Sequence, residues 1–208
     1  MENLFKKLNK NVMFIICLVV AGLMLFGGIM LASAGSIATL FSGSISAALL
    51  VLLAFCFKKE DADKAKIVTL LFIGSFVITS FGSAILNLTQ LGDMDDGGYN
   101  AFLVFQALTC FSIFVAVACH LLPMLFEKMP VKIMQLISTI AYLAAILFAL
   151  VTAIIFVIIQ AEYDGFYAFA YLCNSIGSIG LYALMVCLVN NAGKACENKQ
   201  AEQQEQAE

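Results

Sequence analysis

Six times in this chain an apolar run of 22 to 29 residues is closed off by a short polar or charged segment: 11–33, 36–57, 67–91, 100–126, 131–159 and 166–190. A helix rises about 1.5 Å per residue, so each run is long enough to cross about 30 Å of hydrocarbon. Lipid offers no hydrogen bonds to a bare backbone, which leaves helices and closed barrels as the only spanning structures. Runs of this length, without the dyad alternation of barrel strands, predict helices. The expectation is an all-α, polytopic membrane bundle of six transmembrane helices in three hairpins, occupying residues 1–190 as a single domain. Overall, 62% of the 208 residues are hydrophobic and 12% charged, with a mean hydropathy of +0.99, far from the average of soluble domains.

The lysines orient the spans. All eleven basic residues are Lys, and every one falls before run one, between runs two and three, between runs four and five, at the start of run five or in the tail. The alternate loops hold Asp93, Asp95, Asp96, Glu162 and Asp164 and no Lys. The lysine side thus carries a surplus of two positive charges and the other side five negative ones, which together give the net −3 of the chain. By the positive-inside rule both termini lie in the cytoplasm, in a cell membrane or, in a bacterium, the inner membrane. Ala32-Ser33-Ala34 follows a basic head and a long apolar run, as a signal-peptide cleavage site does. The run exceeds a cleaved segment's apolar core, so it reads as a retained first span. The tail, residues 191–208, is polar and low in complexity and reads as disordered.

Small residues mark where helices approach one another. Gly43 and Ala47, Ser42 and Ser46, and Gly28 and Ala32 each stand four apart, the small-xxx-small spacing that lets helix backbones close up. Such faces serve packing within the bundle, or docking to a second copy or to other membrane proteins. The lipid bilayer is the one partner the composition requires. Nucleic acid is excluded by the sparse lysines and the negative net charge.

Polar residues inside the runs are few and patterned. Ser75, Thr79, Ser83 and Asn87 recur at four-residue spacing, with Gln90 three further on, which places all five on one helix face. Gln106 and Thr109 lie in the fourth run, and Asn174, Ser178 and Tyr182 repeat the spacing in the sixth. Counting from the acidic loops, Asn87, Gln106 and Asn174 sit at about 6, 9 and 12 Å of depth. Asn87, Gln90, Gln106, Asn174 and Ser178 are therefore the candidate ligand-binding residues, lining an outward-facing pocket for a small polar or cationic solute. The competing reading is that these groups bond one another and neighbouring hydroxyls, holding the bundle together.

No Asp, Glu or Arg lies within any run, which argues against ion-coupled pumping. His120 is the lone histidine, and no nucleophile–base–carboxylate set surrounds it. It reads as a structural residue bonded to Gln135 at similar depth on the next helix, beside a bend introduced by Pro123. The seven cysteines show no CxxC spacing, so neither a disulfide framework nor a zinc site is expected, and nothing calls for a metal or cofactor. Cys196 follows the last run closely enough for palmitoylation. Asn87-Leu88-Thr89 matches a glycosylation acceptor, but inside a run. Shifted by 68 residues, Asp96-Gly97-Gly98-Tyr99 falls on Asp164-Gly165-Phe166-Tyr167 and Gln106 on Asn174, the trace of an internal repeat or of shared turn chemistry. Catalytic constellations are missing, so the chain reads as a non-enzymatic structural, accessory or partner-docking bundle, with small-solute binding or transport as the alternative.

Reporter fusions test the threading. Fusions after residues 60 and 130 are expected to report cytoplasm, and fusions after 95 and 163 the opposite side. A fusion after 95 that reports cytoplasm would remove the six-span reading.

Overall fold

The computed structural model describes residues 10–35, 37–59, 68, 71, 74, 81–82, 84–91, 97–126 and 130–205. Five long helices carry the architecture: α1 (Lys10–Ser33), α2 (Ile37–Lys59), α3 (Gly97–Leu125), α4 (Val131–Gln160) and α5 (Gly165–Glu205). Helical residues are also described at 84–89. Four stretches are long and apolar enough to cross a membrane: Asn11–Ser33, Gly97–Leu122, Val131–Gln160 and Gly165–Cys187. Within α2 the apolar segment Leu40–Cys56 is shorter. The protein is an all-α, multi-pass membrane protein. The third apolar run lies largely outside the described residues.

Local chemistry sets the helix ends. Gly35 takes φ +101°, a conformation open to glycine, and its N–H bonds the carbonyl of Ala32, so α1 stops and the chain reverses into α2. Pro130 stands just before α4 as its N-cap, at φ −71° and ψ 91°. Asp164 opens α5: its Oδ1 accepts the N–H of Tyr167 at 3.0 Å, the usual capping bond of an aspartate. The far end of α5 differs from expectation. Its backbone stays helical to Glu205, through most of the stretch whose composition reads as disordered. Residues 194–205 are rich in Ala, Glu, Lys and Gln and contain no Gly or Pro. Extending a helix already nucleated in the membrane avoids the cost of starting one.

The helices pack in the spatial order α2, α1, α5, α4, α3, so that the first and last helices of the chain are neighbours. One apolar core joins all five, with Cys17 and Val20 from α1, Leu50 and Leu53 from α2, Ala116 and Val117 from α3, Tyr142 and Ala145 from α4, and Leu181 and Leu184 from α5. At the lysine end, the ammonium of Lys58 on α2 lies 4.8 Å from the centre of the Phe14 ring on α1.

The outer surface is as apolar as the interior. On α4 the residues Ile133, Leu136, Ile140, Leu143, Leu147 and Leu150 form an exposed stripe, while Ser138, Tyr142 and Thr152 are buried on the opposite face. A helix of a water-soluble protein turns the other way round. Lipid is the solvent that this surface suits.

Close backbone approaches need glycine at particular places. A Cβ on Gly27 of α1 would stand 2.5 Å from the Cα of Asn174 on α5, and one on Gly177 would stand 3.1 Å from the carbonyl oxygen of Leu23. The α1–α5 seam therefore runs backbone against backbone for nearly a full turn. A Cβ on Gly43 of α2 would stand 3.0 Å from the carbonyl oxygen of Met24 and 3.6 Å from the Cα of Gly28, so Gly43 and Gly28 are occupied in joining α1 to α2.

Gly27→Ala is expected to destabilise the protein by about 1–3 kcal/mol, since it inserts a methyl where none fits. Gly22→Ala, with nothing within 4 Å of the added carbon, is expected to be neutral or mildly stabilising. Thermal unfolding in detergent micelles distinguishes the two, and equal midpoints would disprove the tight seam.

Candidate functional site

The candidate amides are distributed over three helical segments. Asn87 lies in helical residues 84–89, half-buried, with its Nδ2 shielded from solvent and, among the described residues, without a hydrogen-bond partner. Gln90, at the end of that segment, is exposed, and its backbone N–H closes the last turn onto Leu86. Ser75, Thr79 and Ser83, the rest of that stripe, lie outside the described residues. Gln106 on α3 and Asn174 on α5 are both half-buried. Asn174 is held by its backbone, which lies against Gly27. Ser178 gives its hydroxyl hydrogen to the carbonyl of Asn174 at 3.1 Å, within its own helix.

The hydroxyls follow a common rule. Thr109 bonds the carbonyl of Phe105 at 2.9 Å, Thr152 that of Phe148 at 2.7 Å, and Ser175 that of Tyr171 at 2.9 Å. Each reaches back four residues along its own helix, a self-contained bond that satisfies the hydroxyl without a neighbour. Ser138 is the exception. Fully buried on α4, it donates across to the carbonyl of Ala116 on α3 at 2.7 Å. That bond sets the register of the α3–α4 pair.

Toward the acidic loops the interior is filled by rings. Phe102 of α3, Phe156 of α4 and Tyr171 of α5 meet in the space between their helices, with Tyr99 and Tyr167 packed alongside. Phe156 stacks on Tyr171 at 4.0 Å, and Phe102 lies 5.1 Å from Phe156 and 6.0 Å from Tyr171. Offset and edge-on pairs of this kind add about 0.5–1.5 kcal/mol each beyond the area they bury. Phe102 is one turn from Gln106, and Tyr171 just under one turn from Asn174, in each case on the acidic-loop side. The sequence reading passed over this cluster. Its signal was present in the 68-residue shift, which lays Tyr99 on Tyr167, and in the four-residue spacing of Tyr167 and Tyr171.

One expectation is overturned. His120 is buried, only 5% exposed, but among the described residues neither of its ring nitrogens has a hydrogen-bond partner, so the expected bond to Gln135 is not made. The register explains this. With Ser138 bonded to Ala116, Met134 stands level with His120, and Gln135 is turned about 100° further round α4. The hydroxyl of Tyr142, a residue 1% exposed, is likewise without a partner. Among the described residues no group of three or more His, Cys, Asp or Glu side chains comes together as a metal would require.

Ser138→Ala is expected to cost about 0.6–1.7 kcal/mol, the range for interhelical hydrogen bonds in membranes. Thr152→Val, which removes a bond internal to one helix, is expected to cost clearly less. Unfolding midpoints of the two variants in one detergent decide the point, and the reverse order would show that the α3–α4 bond is not the one holding the pair.

Comparison with protein families, curated proteins and solved structures gives no match to this chain.

Proposed function

We propose that this protein is a non-enzymatic structural or accessory component of the membrane, a six-span bundle with both termini in the cytoplasm that docks to other membrane proteins. The observation that carries the reading is where the polar and aromatic groups go. Thr109, Thr152, Ser175 and Ser178 bond their own helices, and Ser138 bonds α3. The Phe102–Phe156–Tyr171 cluster fills the side from which a solute would reach Gln106 and Asn174. A chain that arranges its polar groups in this way favours a fixed bundle over a pathway. The outward aliphatic stripe of α4 offers a helix face that suits a neighbouring transmembrane helix as well as lipid.

A second reading, a small-solute binding or transport protein, is favoured by one observation. The Nδ2 of Asn87 is buried without a partner, and a buried amide donor seeks an acceptor. In that reading Asn87, Gln90, Gln106, Asn174 and Ser178 hold a polar ligand.

Two measurements on the full chain separate the readings. In proteoliposomes, fluxes of small neutral and cationic solutes are expected to stay at the level of protein-free vesicles. In native membranes, a photo-crosslinking residue at Leu143 or Leu147 is expected to give discrete protein adducts. Solute flux that is abolished by Gln106→Leu would replace the docking reading with the transport one.

A further inference from the structure

Among the described residues, His120 on α3 and Tyr142 on α4 carry buried polar atoms without a hydrogen-bond partner. His120 lies four residues after Ala116 on α3, and Tyr142 four residues after Ser138 on α4. The helices are antiparallel, so these steps of about 6 Å lead away from the Ser138–Ala116 bond in opposite directions. Side chains lean toward the N-terminus of their own helix, and here both leans point back toward that bond. The extra 40° of rotation in a four-residue step turns both side chains to the same flank of the seam, because the two helices wind in opposite senses when viewed from one end. The imidazole and the phenol thus approach the level of Ser138 from either side. They do not bond each other, for all three of their polar atoms are buried and unpartnered.

Leaving such groups unpaired in an apolar interior costs about 1–3 kcal/mol each. We propose that His120, Tyr142 and Ser138 frame a hydration site inside the bundle that takes a water molecule. The occupant is shut off from solvent. Ala116, Val117, Ser138 and Tyr142 are all 1% exposed or less, so whatever sits beside the Ser138–Ala116 bond is enclosed by protein. The chemistry matches as well. A neutral imidazole offers one donor and one acceptor, the tyrosine a donor, and Ser138 a free lone pair once its hydrogen has gone to Ala116. A buried water makes about three hydrogen bonds, and this set provides them.

Because His120 is the lone histidine, labelling with [15N]histidine gives a spectrum of this one side chain. The full-length protein in lipid bilayers is then read by water-edited solid-state NMR. The imidazole is expected to receive magnetisation from water in spite of its burial, and a soluble paramagnetic ion is expected to leave the signal intact. Tyr142→Phe is expected to lower the transfer about twofold or more, since it removes one of the water's partners. An imidazole that receives nothing in the wild-type protein would overturn the proposal, whether or not the variant folds. Quenching by the paramagnetic ion would also overturn it, since His120 would then face bulk solvent. Unchanged transfer in a folded Tyr142→Phe protein would remove the site as framed.

Discussion

Lipid supplies no hydrogen bonds, and the arrangement of this protein depends on that constraint more than on any single contact. A backbone group within a span has to be satisfied by its own helix, and a side-chain hydroxyl faces the same demand. Thr109, Thr152, Ser175 and Ser178 meet it one turn back along their own helices. Such bonds close each helix on itself and leave its position relative to its neighbours open. The Ser138–Ala116 bond does position its partners, because its acceptor belongs to another helix. A carbonyl already accepting an i+4 N–H keeps a lone pair for a second donor, so the bond forms without breaking the helical ladder.

Association of the helices then rests on how closely they approach. Between spans there is little hydrophobic driving force, since lipid tails are as apolar as the side chains they replace. Dispersion contacts and backbone proximity take its place, and these demand small residues. Gly27, Gly177 and Gly43 supply them, joining α1 to α5 on one side and to α2 on the other. The first helix thereby joins the second to the last. Near the acidic loops the opposite device operates: large rings from α3, α4 and α5 fill the wider space that small residues would leave empty.

The two devices give the bundle unequal halves. Where glycines line the α1–α5 seam, there is little room for a side chain to change its rotamer. The α3–α4 seam is looser in its chemistry, carrying one interhelical bond and, on either side of it, the unpartnered groups of His120 and Tyr142. Polar groups in that condition mark a place where the packing of side chains alone does not complete the structure.

Much of this protein was legible from the chain itself. Run length gave helices of membrane length, four of which the structure shows, because the thickness of hydrocarbon acts on each segment separately. Capping at Asp164 and the turn after α1 were likewise local. What the sequence left open was which face of each helix meets which neighbour. A soluble helix reveals its buried face by its hydrophobic period, but a helix in lipid is apolar on both faces and that signal disappears. Hence the isolated amides Gln106 and Asn174 drew attention as a site, while Ser138 and Tyr142, which set or break the α3–α4 seam, did not. For the same reason His120 was matched with Gln135 by depth alone, when one residue of register separates a bond from a miss. Sequence determined the four membrane-length helices, since length and hydropathy are properties of a segment. Tertiary structure decided the partners, since a hydrogen bond or a backbone approach depends on the register and rotation of two helices at once.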